Sequence, residues 1–466
     1  MNYEFELTEE NLKDSLINDK LKRNSKINNL LKLMSSLKRN TIISIDGAWG
    51  SGKTVFVKQI ETLNKVDFTF NDGKIKDINN IDKTVKDSFN DNHIVYYYNA
   101  WENDLHTDPL QSLLLFLLNE LPNNEDAIVD WKEFKKILPS HILKILSGLG
   151  SGVITGINTK AKELTGIDFK ETIGATVDLV KDINDLKDYT SLAESIITIN
   201  EIKTAIDDLI NCLLKGNKKI VFIIDELDRC RPDYAVKLLE TITHFYNNNK
   251  LIFLVSSNNE QLSYTISKFY GDKFDGYGYL NKIFNFIISL EKIDPSTFAR
   301  LVLNINFDST WVDMMALAII EYNNFSMREI GRYIYYQEIL SNYYNTTYSS
   351  YHDENSLLKY VFLPYCLGLK LKDIKKYNEF LNGNGIDDFI SLLSKNNNCQ
   401  IVTKNIFNHD SGIKQEDKEK ITIEEYVRNT YKRYFIDNNR DNYHDQEAKK
   451  RFSEVLSLIS DFSNIY

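Results

Sequence analysis

The chain has 466 residues, 42% of them hydrophobic and 26% charged, with 19 glycines and 6 prolines; that excludes a single small core and extensive low-complexity linkers, and predicts two or three folded domains. A net charge of -10 at pH 7 excludes a generally nucleic-acid-coating surface, which needs clustered positive charge, but leaves room for a local basic face, so nucleic acid is possible but not indicated as a partner. Cys212, Cys230, Cys366 and Cys399 are widely spaced and form no CxxC pair, which excludes a paired-cysteine zinc site and a disulfide framework and fits a reducing cytosol.

The amino terminus, MNYEFELTEENLKDS, is polar and acidic where a signal peptide carries positive charge and then an apolar run, so no export is expected. Apolar positions at helical spacing (Leu21, Ile27, Leu30, Leu31 and Met34) predict a helix that ends in polar Lys38 to Asn40 and leads into a strand. Thr41 to Ile45 is a β-branched run followed by a glycine-rich turn and a helical pattern from Lys53 to Leu63. His93 to Tyr98 reads as a buried strand, and Asp108 with Pro109 supplies the cap and first-turn proline of a leucine-rich helix through Leu118.

Between Asp130 and Lys203 the strand signal stops, which predicts a helical insertion over 130–203 dividing the first domain into 1–129 and 204–292. Its most apolar stretch, Ile137 to Ile157, carries a small-residue ladder at Gly148, Gly152 and Gly156. His141 and Lys144 interrupt it, so a soluble or partner-packing helix is expected in preference to a membrane span. Ile220 to Ile224 and Leu251 to Val255 complete a set of apolar strands separated by helices, the pattern of an α/β fold with a parallel sheet. From Ile293 the chain reads as helical: a segment over 293–345, then a carboxyl-terminal region over 346–466. Tyr-rich polar connections are expected between Tyr333 and Tyr360, with a closing charged helix around Glu424 to Phe435. No internal repeat is present.

Gly47-Ala48-Trp49-Gly50-Ser51-Gly52-Lys53-Thr54 fits G-x-x-x-x-G-K-[ST] at every fixed position and sits between a strand pattern and a helix pattern. Glycines let such a loop fold tightly enough for consecutive N–H groups to face an anion, and the following helix adds partial positive charge. Lys53 then reaches the β- and γ-phosphates of a nucleoside triphosphate, and Thr54 is a Mg²⁺ ligand. The run Ile220 to Ile224 delivers Asp225 and Glu226 at a strand end. Asp225 is assigned to the metal and Glu226 to orienting or deprotonating the attacking water. The bland reading is a strand followed by solvated charges. Arg229 and Arg231 precede Pro232; either can serve a neighbouring subunit as an arginine finger or simply be solvated. After the next strand, Asn258 is the candidate for sensing the γ-phosphate or holding the water, against a plain turn.

Six stretches together resemble the KAP-type P-loop NTPases: GAWGSGKT from Gly47, YYNAWENDLHTDPL from Tyr97, IDELDRCRPDYAVKLLETI from Ile224, FLVSSNNEQLSYTISKFYG from Phe253, FDGYGYLNKIF from Phe274 and SMREIGRYI from Ser326. The resemblance implies a P-loop sheet of the additional-strand, catalytic-glutamate type, ATP or another NTP with Mg²⁺ as ligands, and a helical lid over 293–345. It also implies a second sensor arginine at Arg328, with Arg332 one turn later. Many relatives carry transmembrane helices where this chain has only Ile137 to Ile157, and often an aspartate where Asn258 stands. Bacterial members are often associated with defence against phage, which makes a cytoplasmic bacterial protein the expectation, with membrane attachment open.

Four readings of function follow. The first is an ATPase whose turnover drives a conformational or assembly switch, as a homo-oligomer or with a protein encoded alongside. The second is a nucleotide-gated scaffold with negligible hydrolysis. A small-molecule kinase shares the loop but not the Asp-Glu strand end, and a DNA-loading motor needs a basic channel that an acidic chain makes only by oligomerising.

Overall fold

The computed structural model describes residues 6–66, 68, 78–105, 108–120, 203–204, 206–207, 210–211, 214, 218–244, 248–302, 310–347, 356–410, 413–437 and 443–462. The predicted insertion, with Ile137 to Ile157, lies outside the described residues apart from Lys203. Among the described residues no helix is long and apolar enough to cross a membrane. The chain divides into two compact units. One comprises Leu12–Ala48 and Gly52–Glu291; the other comprises Met1–Asn11, Trp49–Ser51 and Lys292–Tyr466.

Among the described residues the first unit is built on five parallel strands: β1 (Thr41–Asp46), β2 (His93–Asn99), β3 (Lys219–Asp225), β4 (Leu251–Ser257) and β5 (Phe286–Ser289). Their order is β2-β3-β4-β1-β5, so β4 stands between the strand that precedes the glycine-rich loop and the strand that ends in Asp225. This is the additional strand that the resemblance implied. Strand side chains alternate between faces, and the sequence supplies apolar residues at both parities. Tyr96, Tyr98, Phe222, Ile224, Phe253 and Val255 enter one core; Val95, Val221, Ile223, Ile43, Ile45 and Leu254 enter the other.

Helices cover both faces. α1 (Glu9–Ile17), α2 (Asn24–Ser36), α3 (Lys53–Lys65) and α4 (Lys83–Asn92) supply Leu16, Leu31, Phe56, Ile60 and Phe89 to the second core. α5 (Pro109–Glu120), α6 (Pro232–His244), α7 (Asn259–Tyr270) and α8 (Gly276–Ile283) supply Leu113, Leu239, Leu262 and Leu280 to the first. Asp108 caps α5 by accepting from Leu110 N at 2.9 Å, as its place before Pro109 predicts.

The amino-terminal segment departs from the single expected helix. It forms two helices, with Leu21 buried in a turn where Asp19 and Lys22 take φ of 47° and 53°. β5 and α4 were not expected. β5 has only four residues, and although Phe286, Ile287 and Ile288 are apolar, Phe286 and Ile287 are exposed, as befits a short strand at the sheet edge.

In the second unit the long helices include α9 (Trp311–Tyr322), α10 (Met327–Thr347), α11 (Leu363–Lys372) and α12 (Ile374–Leu381). α13 (Ile386–Lys395), α14 (Asn397–His409), α15 (Ile423–Tyr431) and α16 (Tyr443–Phe462) follow. The expected Tyr-rich connection after Tyr333 is helical as far as Thr347. Ile330, Tyr333, Ile334, Gln337 and Leu340 form a buried stripe at helical spacing, and Tyr333 donates to Pro364 O at 3.2 Å. The expected closing helix ends at Tyr431, passes into a π turn over Lys432–Ile436, and α16 follows. Phe362, Phe380, Phe389, Tyr365 and Tyr431 pack together, most pairs edge-on and Phe380 with Tyr431 tilted.

Candidate functional site

Parallel register brings four strand ends to one edge. Asp46 pairs with Ser257, Ser256 with Asp225, and Asp225 with Asn99. β1 and β3 are separated by β4 alone, or about 10 Å at the usual strand spacing. The carboxyl edge of a parallel sheet is where such folds bind ligands, because loop amides and helix amino termini converge there.

The glycine-rich loop follows β1. Gly50 and Gly52 have φ of +75° and +81°, a region where an L side chain is strained, and these two bends curl the loop. Gly52 also caps α3, its carbonyl accepting from Phe56 N at 3.0 Å. Lys53 opens α3 and folds back over the loop, its ammonium donating to Gly47 O at 2.7 Å and Ala48 O at 3.3 Å. Burial lowers the Lys53 pKa, opposed by the negative charges of Asp228, Asp225 and Asp46. The lysine therefore sits within the field of the strand-end carboxylates. Thr54, half-buried in the first turn of α3, is the adjacent hydroxyl. Of the remaining loop residues, Ala48 and Trp49 are exposed and Ser51 is buried.

Asp225 is buried at the end of β3 and held by two donors: Tyr97 Oη at 3.0 Å from Oδ2 and the Glu226 N–H at 2.9 Å from Oδ1. Glu226 leaves the strand at φ 60° and ψ 27°, a left-handed conformation costly for a side chain of this size, and caps the short 3₁₀ turn Leu227–Arg229. Its carboxylate pairs with Arg229 Nη1 at 2.6 Å, and the guanidinium lies 5.5 Å from the Trp101 ring centre. Burial raises the Glu226 pKa, against the lowering effect of Arg229, while Asp225 raises it further. Arg231 is engaged elsewhere, its side chain donating to Asp104 O and its backbone N–H to Asp104 Oδ2 at 3.0 Å.

Asn258 stands at the end of β4 as the cap of α7, its side-chain oxygen accepting from Gln261 N at 3.3 Å. The loop residues Gly47, Ala48, Gly52, Lys53 and Thr54 thus share one sheet edge with Asp225, Glu226 and Asn258. Arg328 and Arg332 are exposed on α10, in the helical unit.

Three residues that support this edge were not singled out in the sequence. Arg23 is buried just before α2 and donates to Gly52 O at 3.2 Å and Glu291 O at 3.0 Å; burial pushes its pKa down to about 10. Asn259 joins the two central strands, accepting from Ser257 Oγ at 2.9 Å and donating through its amide to Ser44 Oγ at 2.9 Å and through its backbone to Asp46 Oδ1 at 2.9 Å. Tyr97 carries a readable signal. Positions 93, 95, 97 and 99 of β2 share a face, and pairing with 219, 221, 223 and 225 of β3 puts Tyr97 on the Asp225 side.

Two comparisons with known proteins bear on this arrangement. A family model described as the KAP family P-loop domain matches residues 23–344, from Arg23 through most of α10. An uncharacterised protein of Methanocaldococcus jannaschii is 27% identical over 162 residues, covering 32% of this chain and 82% of that protein.

Proposed function

This chain belongs to the KAP family of P-loop domains, and on that premise we propose that its nucleotide-binding site takes ATP with Mg²⁺ and hydrolyses it to drive a conformational or assembly switch. The observation that carries the reading is the convergence of Lys53, Asp225 and Glu226 at one sheet edge, two strands apart in fixed register. In this proposal the loop amides and the amino end of α3 cradle the phosphates, and Lys53 neutralises the β- and γ-oxygens. The donor set suits Mg²⁺, a hard cation that takes one or two protein oxygens and completes its shell with phosphate and water. Thr54 Oγ1 and the Asp225 carboxylate would be those oxygens, and the ion would withdraw charge from the phosphates. Glu226 orients and deprotonates water, and its raised pKa moves a carboxylate toward the basicity that the task needs. Asn258 and Arg328 are proposed γ-phosphate contacts. A second copy of this chain, or a protein encoded alongside it, is the proposed partner, and bacterial anti-phage defence the proposed setting, both on the family resemblance alone.

A second reading has its own observation. Arg229 holds the Glu226 carboxylate at 2.6 Å, an arrangement that opposes proton abstraction and suits a scaffold that binds nucleotide and turns over negligibly. Binding of a fluorescent ATP analogue tests what both readings share. Lys53→Ala removes charge-assisted hydrogen bonds worth roughly 1.5–3 kcal/mol, so binding should weaken by about 10- to 150-fold. Unchanged affinity in that variant would remove the loop from the site.

A further inference from the structure

Behind Asp225 lies a chain of contacts that nucleotide binding alone does not require. Thr54 and Lys58 are one turn apart on α3, so they project from the same side of the helix. The Lys58 ammonium stands 3.3 Å from the centre of the Tyr97 ring, and its other side is fixed by Glu61 Oε2 at 2.8 Å. That is short for a cation over an aromatic face and fixes the ring between helix and sheet. The Tyr97 hydroxyl then donates to Asp225 Oδ2 at 3.0 Å. A carboxylate that accepts a backbone N–H on Oδ1 and a phenol on Oδ2 has its plane set, with one further lone pair on each oxygen for a cation.

We propose that Tyr97 is a positioning residue for the metal: through its hydroxyl it orients the Asp225 carboxylate toward the ion that Thr54 and the nucleotide phosphates share, with Lys58 holding the ring in place. The inference rests on the reading of Asp225 as the metal-binding carboxylate. Two features support it. The hydroxyl reaches a buried carboxylate across adjacent strands in fixed register, and the partner that fixes the ring comes from the helix that bears Thr54. Partners of this kind that orient a metal ligand typically alter metal affinity by 10- to 100-fold.

Tyr97→Phe deletes one oxygen and keeps the ring beneath Lys58, so thermal unfolding should stay close to that of the wild type. The experiment is a Mg²⁺ titration of fluorescent ATP analogue binding in wild type, Tyr97→Phe and Asp225→Asn, with a parallel series in EDTA. Without metal, the wild type and Tyr97→Phe should bind the analogue equally. With metal, Tyr97→Phe should need at least about tenfold more Mg²⁺ for half of the enhancement, and Asp225→Asn should lose the enhancement. A merely structural tyrosine would change binding in both series or in neither. If Asp225→Asn loses the Mg²⁺ response while Tyr97→Phe keeps the wild-type one, the proposal is overturned and the metal assignment stands. If Asp225→Asn also responds like the wild type, both fall.

Discussion

A guanidinium behind the loop, an amide between two strands and a phenol beside a carboxylate hold the chemistry in place at the scale of single residues. Arg23 shows how much one such group supports. Its desolvation is offset by hydrogen bonds to the carbonyls of Gly52 and Glu291, and removing it strands both acceptors in a buried setting. Arg23→Met should therefore lower stability by about 2–3 kcal/mol in urea unfolding and weaken nucleotide binding, because Gly52 caps α3. A variant with wild-type stability and affinity would reduce Arg23 to a bystander. The residues proposed to face the nucleotide were legible in the sequence because their chemistry is encoded in spacing: a glycine-rich octapeptide after a strand and two carboxylates after an apolar run. Arg23, Asn259 and the Arg229–Glu226 pair were not. Each acts through partners distant in the chain or through a turn geometry that no local pattern announces.

Strands and helices set where those residues meet. β4 lies between β1 and β3, so the loop and Asp225 face each other across a single strand, with Ser256 and Ser257 between them. The start of β2 carries a testable consequence. His93 is buried, its ring stacked on Phe89 at 4.5 Å with Nδ1–H donating to Phe89 O at 3.0 Å. Burial holds its pKa below the ordinary 6.5, and the nearby Lys219 and Lys218 add to the effect. A histidine depressed in the folded state takes up its proton more readily when unfolded, so its contribution is intact above about pH 6.5 and is lost as pH falls toward the folded pKa. Urea unfolding should show stability declining below about pH 6.5 more steeply in the wild type than in His93→Asn; identical slopes would contradict this. Four of the five strands could be read from apolar β-branched and aromatic runs. β5 could not, being only four residues long and largely exposed, and neither could α10 beyond Tyr333. There the tyrosines obscured a helical stripe whose burial depends on α11 and its neighbours.

At the scale of the whole molecule, the chain joins a P-loop sheet to a helical unit, and the family match spans parts of both. A P-loop sheet by itself is a nucleotide-binding device, and what turnover accomplishes depends on what the rest of the chain does in response. The 2.6 Å Arg229–Glu226 contact makes turnover the point at which the account is most exposed. If Glu226 is the general base, Arg229 must release it during the cycle, and a neighbouring copy is the proposed source of that release. The measurement to make is steady-state phosphate release from ATP with Mg²⁺, comparing wild type with Glu226→Gln over a range of protein concentrations. The wild type should turn over with a specific rate that rises with concentration, and the variant should lose about 10²- to 10⁴-fold. A wild type that binds ATP yet releases phosphate no faster than Glu226→Gln at any concentration would contradict it and leave the nucleotide-gated scaffold.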